Sequence, residues 1–224
     1  MKIALCLIAT GKYGRFVQPL IDAAQHLFLA GHERTFVLFS DQAMDDPRIV
    51  AQRVEHMRWP GPTLYRYHFM LCQRELLLTH DYVYYLDVDM RIVRQVGDEV
   101  LGDLVATIHP GFCESPRWTF TYESRIDSRA WVAPWEGARY YAGAFQGGRS
   151  ARFVAAMEHM ATAIDDDARR CVTAVWHDES HWNRYCIDYP PTLALSHEYC
   201  CPEQWRPDTQ KIVIVGKNNG EMHS

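Results

Sequence analysis

The sequence predicts an α/β fold, on three observations. Strand and helix patterns alternate through the first hundred residues, the strand segments are nearly continuous apolar runs, and carboxylates stand where those runs end. With 224 residues, 48% of them hydrophobic, the chain is long and apolar enough for one sizeable core. We therefore expect a single α/β unit, with its polar residues gathered at the carboxyl edge of a sheet.

The opening elements follow from periodicity. "KIALCLIA" at 2–9 predicts a buried strand, and the apolar stripe from Phe16 to Phe28 predicts a helix that ends at Gly31. "RTFVLFSD" at 34–41 predicts a second strand that ends at Asp41.

The later elements are more widely spaced. In chain order we expect a helix across Leu64–Leu77, a strand in "DYVYYLDVDM" (81–90), a strand in "DLVATIHP" (103–110), a turn-rich aromatic stretch (111–138), an amphipathic helix (149–170) and a short strand in "DTQKIVIVGKN" (208–218). The second half therefore resembles insertions carried on the sheet.

Composition excludes several classes of partner. A net charge of −5 and scattered Lys and Arg residues give no basic surface for nucleic acid. The apolar start at 3–9 is too short for a signal peptide, and no run reaches the roughly 18 apolar residues of a membrane span, so we expect no integral membrane segment. Seven cysteines without CxxC spacing argue against a disulfide framework and a structural zinc site.

Asp87 and Asp89 interrupt an apolar, aromatic run. In a strand their side chains would point to the same face, where two carboxylates repel each other unless a positive charge lies between them. One hypothesis is a hard divalent cation, Mn²⁺ or Mg²⁺, which prefers oxygen ligands and can also hold a diphosphate. The alternative is that the strand ends at Leu86 and both residues lie in solvent as turn formers.

A second polar cluster lies in "AVWHDESHWNRY" at 174–185. Asp178 or Ser180 could be a helix N-cap, with Glu179 in the first turn. His177 and His181 have the i, i+4 spacing of a zinc-hydrolase motif, but Glu179 would lie about 200° around the helix from the first histidine. The zinc interpretation therefore requires a glutamate that faces the wrong way.

With both clusters in view, the chain resembles glycosyltransferase family 6, the retaining α-1,3-galactosyl and N-acetylgalactosaminyl transferases. The matching segments are "GKYGRF" (11–16), "GHERTFVLFSD" (31–41), "RWPG" (58–61), "DYVYYLDVDMRI" (81–92), "IHPGF" (108–112), "FTYESR" (120–125), "YYAGAFQGG" (140–148), "AVWHDESHWNRY" (174–185) and "VGKNN" (215–219). The resemblance implies a GT-A, Rossmann-like fold with a central mixed sheet. It implies one catalytic domain over 1–224, with 1–100 mainly the nucleotide-binding half and 101–224 mainly the acceptor and catalytic half.

The same resemblance implies an activity. The expected enzyme moves GalNAc or Gal from a UDP-sugar to a galactose-terminated oligosaccharide acceptor, with Mn²⁺ or another divalent cation such as Mg²⁺. The chain lacks the membrane anchor and stem typical of vertebrate members, so it is similar to the shorter bacterial or phage-type members and a cytoplasmic location is expected. A non-catalytic carbohydrate-binding protein is the alternative, because aromatic residues make up 12% of the chain.

Roles for individual residues also come from the resemblance. Asp87 and Asp89 would bind the metal, and Glu179 would be the catalytic carboxylate, as a nucleophile or as a stabiliser of an oxocarbenium-like species. Ile8, Thr10, Tyr13, Val88 and Lys217 would bind the nucleotide; Arg66, Asp178, Ala142, Gly143 and Ala144 the donor sugar; His109, Thr121, Trp176 and His177 the acceptor. The small side chains at 142–144 leave room for an N-acetyl group, which favours GalNAc slightly over Gal.

Overall fold

A computed structural model describes residues 1–205 and 208–216. Over these residues the strands are β1 (Lys2–Ala9), β2 (Glu33–Ser40), β3 (Ile49–Arg53), β4 (Tyr82–Leu86), β5 (Met90–Ile92), β6 (Leu104–Ile108), β7 (Tyr141–Arg149), β8 (Leu193–Leu195), β9 (Cys201–Pro202) and β10 (Ile212–Ile214). The α-helices are α1 (Val17–Leu27), α2 (Gly61–Leu64), α3 (Arg66–Leu71), α4 (Arg74–Leu78), α5 (Ser150–Arg169) and α6 (His177–Asp188). Strands and helices alternate through the first half, so the α/β prediction is confirmed.

The described strands form a large sheet and a small one. The large sheet has the order β3-β2-β1-β4-β7-β6-β8, and β5, β10 and β9 form the small one. Strands β3, β2, β1 and β4 pair in parallel, whereas β7 is antiparallel to both β4 and β6. The sheet is therefore mixed, and the parallel strands β1, β2 and β4 end at the same edge.

Alternation along β1 explains how the sheet is covered. Ile3, Leu5 and Leu7 point to one face and pack with α1, whereas Ala4 and Cys6 point to the other face and pack with α5 and α6. Both faces are therefore apolar, as the continuous hydrophobic run of β1 predicts for a buried parallel strand.

Three predicted boundaries are wrong. Strand β4 ends at Leu86, four residues before the predicted end, and the chain turns before it enters the small sheet as β5. The predicted helix across 64–77 is divided among α2, α3 and α4, with 3₁₀-type hydrogen bonds at the break after Leu71. Helix α1 ends at Leu27 rather than Gly31, because Phe28 turns to pair with Val96.

Strands β3, β7, β8 and β9 have no counterpart among the predicted elements. Among the helices in residues 1–205 and 208–216, none combines the length and the apolar character needed to span a bilayer.

Candidate active site

A cavity of about 1130 Å³ lies at the carboxyl edge of β1, β2 and β4. Its wall includes most of the residues that the resemblance assigns to a site: Ile8, Thr10, Tyr13, Arg66, Asp87, Val88, Asp89, His109, Ala142, Gly143, Ala144, Trp176, His177, Asp178 and Glu179. Ile8 and Glu179, which are 171 positions apart in the chain, thus line one space.

Two of the predicted site residues are not in this wall. Thr121 is exposed and lies beside the hydroxyl of Tyr140 rather than in the cavity lining. Lys217 lies outside the described residues.

The turn after β1 is fixed by residues that follow β2. The N–H of Gly11 donates to Oδ1 of Asp41 at 2.9 Å, and Nε2 of Gln42 donates to the Gly11 carbonyl at 2.8 Å. Gly11 has a φ of +56°, in the left-handed region that glycine adopts without steric cost. Asp41, which the sequence places at the sheet edge, thereby supports the turn that carries Thr10 and Tyr13 into the cavity wall.

Asp87 and Asp89 lie on a turn rather than within a strand. The Asp87 N–H donates to the Ala144 carbonyl at 2.8 Å, and the Met90 N–H closes the turn on the Asp87 carbonyl at 3.1 Å. The Asp87 side chain is 31% exposed and Asp89 is only 5% exposed, and both line the cavity. The alternative from the sequence is therefore right about the end of the strand and wrong about the surroundings of the two carboxylates.

Arg66 joins the two acidic regions of the cavity. Its Nε lies 2.8 Å from Oδ2 of Asp178, and its Nη2 lies 3.5 Å from Oδ1 of Asp87. Its Nη1 donates to the Gly143 carbonyl at 2.6 Å, and its guanidinium lies 4.4 Å from the ring centre of Tyr85. One buried arginine therefore neutralises charge on both sides of the cavity and is held by a backbone group and an aromatic face.

A bulge in β7 places backbone groups at the centre of the cavity. Ala106 and Thr107 are adjacent on β6, yet they pair with Gln146 and Ala142, which leaves residues 143–145 of β7 without partners on β6. The hydroxyl of Thr107 donates to the Phe145 carbonyl at 2.9 Å inside this bulge. Gly143 is consequently released from the ladder with β6, so that its N–H and its carbonyl can bond side chains.

The Gly143 N–H holds Glu179, the candidate catalytic carboxylate. It donates to Oε2 of Glu179 at 2.8 Å. Helix α6, which carries Glu179, is fixed on β7 by Asn183, whose side chain accepts from the Tyr141 N–H at 2.9 Å and donates to the Tyr141 carbonyl at 2.8 Å. The position of Glu179 is thus set by two independent links between α6 and β7.

Burial changes the acidity of the two adjacent carboxyl groups. It raises the pKa of Glu179 to about 7, against the opposing effects of the Gly143 N–H, the Tyr140 hydroxyl and Arg66. Burial also raises the pKa of Asp178, opposed mainly by the charge of Arg66. Carboxyl groups with raised pKa values in a cleft are typical of catalytic sites.

Asp178 and Ser180 do not act as the side-chain N-cap that one interpretation of the sequence proposed. Asp178 is completely buried against Arg66, and neither of its oxygens accepts a hydrogen bond from a described residue. The Ser180 hydroxyl accepts instead from the N–H of Trp176, the residue that precedes the helix, at 3.0 Å. The acidic start of α6 therefore faces the cavity.

The acceptor-side candidates form the mouth of the cavity. Trp176 is 48% exposed. The rings of His177 and Trp59 pack edge-on, with 4.9 Å between their centres. His177 has a φ of +51°, which costs a residue with a side chain about 1–2 kcal/mol. Burial lowers the pKa of His109 to about 4, so its ring is neutral at physiological pH, and Nδ1 accepts from the Gly111 N–H, which leaves Nε2 as a donor.

The residues described here fit a divalent cation that is shared with a phosphate ligand. Asp87 and Asp89 offer carboxylate oxygens to the same cavity, and within residues 1–205 and 208–216 no group of three or more His, Cys, Asp or Glu side chains forms a ready-made metal site. Mg²⁺-type ions are often held by one or two carboxylates together with substrate phosphates and water, so two carboxylates are sufficient. A zinc site is not supported, because His177 lines the cavity whereas His181 is buried beside Asp167.

Several residues of the cavity were not identified from the sequence. Tyr85 lies under Arg66, Trp59 contacts His177, and Asn183 fixes α6 on β7. For each of these side chains, the local sequence pattern predicts an ordinary core or surface position. All three lie in segments that match the family, "RWPG", "DYVYYLDVDMRI" and "AVWHDESHWNRY", but the sequence assigned no role to any of them.

Comparison with known proteins identifies relatives along almost the whole chain. The sequence model of glycosyltransferase family 6 matches residues 1–223. The chain is 35% identical over 234 residues to histo-blood group ABO system transferase 2 of Rattus norvegicus, covering 97% of this chain and 70% of the relative. It is 36% identical over 230 residues to globoside alpha-1,3-N-acetylgalactosaminyltransferase 1 of Canis lupus familiaris, covering 96% of this chain and 65% of the relative.

A bacterial relative has a more similar length. The chain is 26% identical over 225 residues to the O-antigen biosynthesis glycosyltransferase WbnI of Escherichia coli, covering 96% of this chain and 94% of the relative. The chain therefore spans about two thirds of the two mammalian relatives and nearly all of the bacterial one.

Proposed function

The chain belongs to glycosyltransferase family 6, and from this we propose that it transfers GalNAc or Gal from a UDP-sugar to a galactose-terminated glycan, in α-1,3 linkage and with retained anomeric configuration. Family membership makes the chain a glycosyltransferase with a GT-A fold, so a non-catalytic sugar-binding protein is no longer the favoured alternative. The observation that carries the proposal is the placement of Glu179 in the same cavity as Asp87 and Asp89.

The reaction breaks the bond between the anomeric carbon and the diphosphate oxygen, and its electron pair leaves with UDP. A new bond forms between that carbon and an acceptor hydroxyl oxygen, whose proton passes to the departing diphosphate, directly or through water. Retention requires either a covalent glycosyl–enzyme on Glu179 or same-face attack on an oxocarbenium-like species that Glu179 stabilises. In either case Glu179 must be ionised and held in place, and the Gly143 N–H holds it.

Departure of UDP develops negative charge on the diphosphate. Asp87 and Asp89 would hold Mn²⁺ or Mg²⁺ there, and such a cation supplies electrostatic stabilisation of the leaving group. Arg66 pairs with both Asp87 and Asp178, so its positive charge reduces the electrostatic repulsion between these acidic side chains.

Binding of the donor sugar is assigned to Asp178 and the small residues of β7. Oδ2 of Asp178 is paired with Arg66, whereas Oδ1 has no hydrogen-bond partner among the described residues, and sugar hydroxyls are suitable donors to it. Ala142, Gly143 and Ala144 leave space beside it, and this supports GalNAc over Gal. At the mouth, the face of Trp176 and Nε2 of His109 provide stacking and a hydrogen-bond donor for an acceptor sugar.

Two assays test this proposal. Purified protein is incubated with UDP-GalNAc or UDP-Gal, Mn²⁺ and an array of galactose-terminated glycans, and UDP release and product linkage are measured with and without EDTA. We expect transfer that EDTA abolishes, and absence of UDP release with both donors and all acceptors would contradict the proposal.

Glu179→Gln tests the role of the carboxylate. Glutamine can still accept from the Gly143 N–H, so we expect the affinity for UDP to be nearly unchanged while kcat falls by about 10³ or more. Loss of UDP binding together with activity would instead identify Glu179 as a structural residue.

A further inference from the structure

Tyr85 is a buried tyrosine whose hydroxyl is directed at Asp87, in the turn after β4. It is the fourth residue of β4, is 4% exposed, and lies two positions before Asp87 in the chain. Its hydroxyl donates to Oδ1 of Asp87 at 2.6 Å. A hydroxyl bond to a carboxylate at this distance belongs to the strong, charge-assisted class.

The same oxygen of Asp87 receives a second contact. Nη2 of Arg66 lies 3.5 Å from Oδ1, and the Arg66 guanidinium lies over the Tyr85 ring at 4.4 Å. Oδ1 is thus engaged by the Tyr85 hydroxyl and approached by the arginine that stacks on that ring. Within residues 1–205 and 208–216, the hydrogen bond from Tyr85 and the closest approach of Arg66 are both made to Oδ1 rather than to Oδ2.

A carboxylate that is partly exposed would otherwise be free to turn. The torsion that rotates an aspartate carboxylate has broad minima, so a side chain 31% exposed to solvent is not fixed by packing alone. A hydrogen bond to Oδ1 removes this freedom and directs the other oxygen away from Tyr85. Supporting hydrogen bonds of this kind typically change metal affinity by about 10–100-fold.

We propose that Tyr85 is a positioning residue for Asp87, holding Oδ1 by a hydrogen bond so that the remaining oxygen is presented to a divalent cation and the diphosphate that it binds. This inference rests on the proposed function, in which Asp87 and Asp89 hold that cation. The Tyr85 hydroxyl is bonded to Asp87, so its effect on the cation would act through that carboxylate.

Tyr85→Phe tests the inference with the smallest available change. Phenylalanine keeps the ring beneath Arg66 and removes only the hydroxyl that reaches Asp87. Mn²⁺ binding is measured in the presence of UDP, by the loss of the free-ion electron paramagnetic resonance signal and by calorimetry, together with UDP affinity without metal. We expect Mn²⁺ affinity to fall about tenfold or more while UDP affinity without metal is unchanged.

Tyr67→Phe is the matched control. Tyr67, on α3, is also buried, and its hydroxyl donates to Oε1 of Gln146 at 3.1 Å rather than to Asp87. We expect this variant to bind Mn²⁺ as the wild type does. Thermal unfolding of both variants shows whether either substitution has loosened the core.

Three outcomes would overturn the inference: Mn²⁺ affinity that is unchanged or increased in Tyr85→Phe, an equal loss in Tyr67→Phe, or a wild-type enzyme that binds no Mn²⁺ with UDP. These results are distinguishable from failure of the proposed function. Sugar transfer that persists in EDTA would leave the transferase proposal standing and remove the role of Tyr85, whereas absence of all transfer would remove both.

Discussion

Replacement of Glu179 by glutamine should stabilise the folded protein at neutral and alkaline pH. Burial raises the pKa of Glu179 to about 7 from an ordinary 4.5, which means that the fold disfavours the ionised form. A difference of this size corresponds to about 3 kcal/mol of free energy of unfolding. Glutamine is nearly isosteric, is never ionised and can still accept from the Gly143 N–H, so the electrostatic cost should be removed with little change in packing.

The pH range follows from the sign of the shift. Below about pH 4.5 the carboxyl group is protonated in both the folded and the unfolded chain, so wild type and Glu179→Gln should be equally stable. As the pH rises towards 7 the unfolded chain ionises first, and the wild type loses stability relative to the variant. Above about pH 7 both states are ionised and the difference should stay constant at about 3 kcal/mol.

The measurement is urea unfolding, without metal, at pH values from 4 to 8.5. Glu114→Gln, which removes an exposed carboxylate in the loop after β6, corrects for the general effect of losing one negative charge. A difference between Glu179→Gln and wild type that does not change with pH would refute the reasoning. A variant less stable than wild type at pH 8 would refute it as well.

Three further predictions concern the groups around Glu179. A Cβ at Gly143 would lie 3.3 Å from Oδ2 of Asp178, so Gly143→Ala should lower kcat at least about tenfold, with UDP affinity retained, when initial rates and calorimetry are compared. Arg66→Met removes the ion-pair partner of the buried Asp178 and should cost about 3–5 kcal/mol in urea unfolding at pH 9, with a smaller cost at pH 6, because burial raises the pKa of Asp178 to about 8 and keeps this carboxyl protonated at pH 6 with or without Arg66. Thr107→Val removes the hydrogen bond to Phe145 within the β7 bulge and should cost about 1–2 kcal/mol, measured by thermal unfolding, and an unchanged midpoint would contradict that role.

Part of the fold was accessible from local pattern. The apolar runs of β1 and β2 are continuous because both faces of these strands are covered, and that signal is independent of the remainder of the chain. Strand β7 gave no such signal, since "YAGAFQGGR" is rich in glycine and small residues that disfavour strands in isolation. Its extended form results from pairing with β4 on one side and β6 on the other.

The candidate site, like the fold, could be predicted only in part from the sequence. The residues that could take part in the chemistry, Asp87, Asp89 and Glu179, could be identified from unusual local sequence and from the family resemblance. The links that hold them could not be selected, because they join distant segments: Arg66 bonds a carbonyl 77 residues later, and Asn183 bonds a backbone group 42 residues earlier. These two bonds are made to backbone groups, so they leave no complementary residue type for a sequence pattern to reveal.

The bulge of β7 has a consequence for engineering the sugar preference of this enzyme. Residues 142–144 are the segment assigned to recognition of the donor sugar, and the middle one, Gly143, also holds both Glu179 and Arg66 through its backbone. On this proposed assignment, donor selectivity would depend on the side chains of the segment, whereas the support of Glu179 depends on the Gly143 backbone. A library that varies the side chains at Ala142 and Ala144 while Gly143 is kept constant would therefore test new donors and leave the hydrogen bond to the candidate catalytic carboxylate in place.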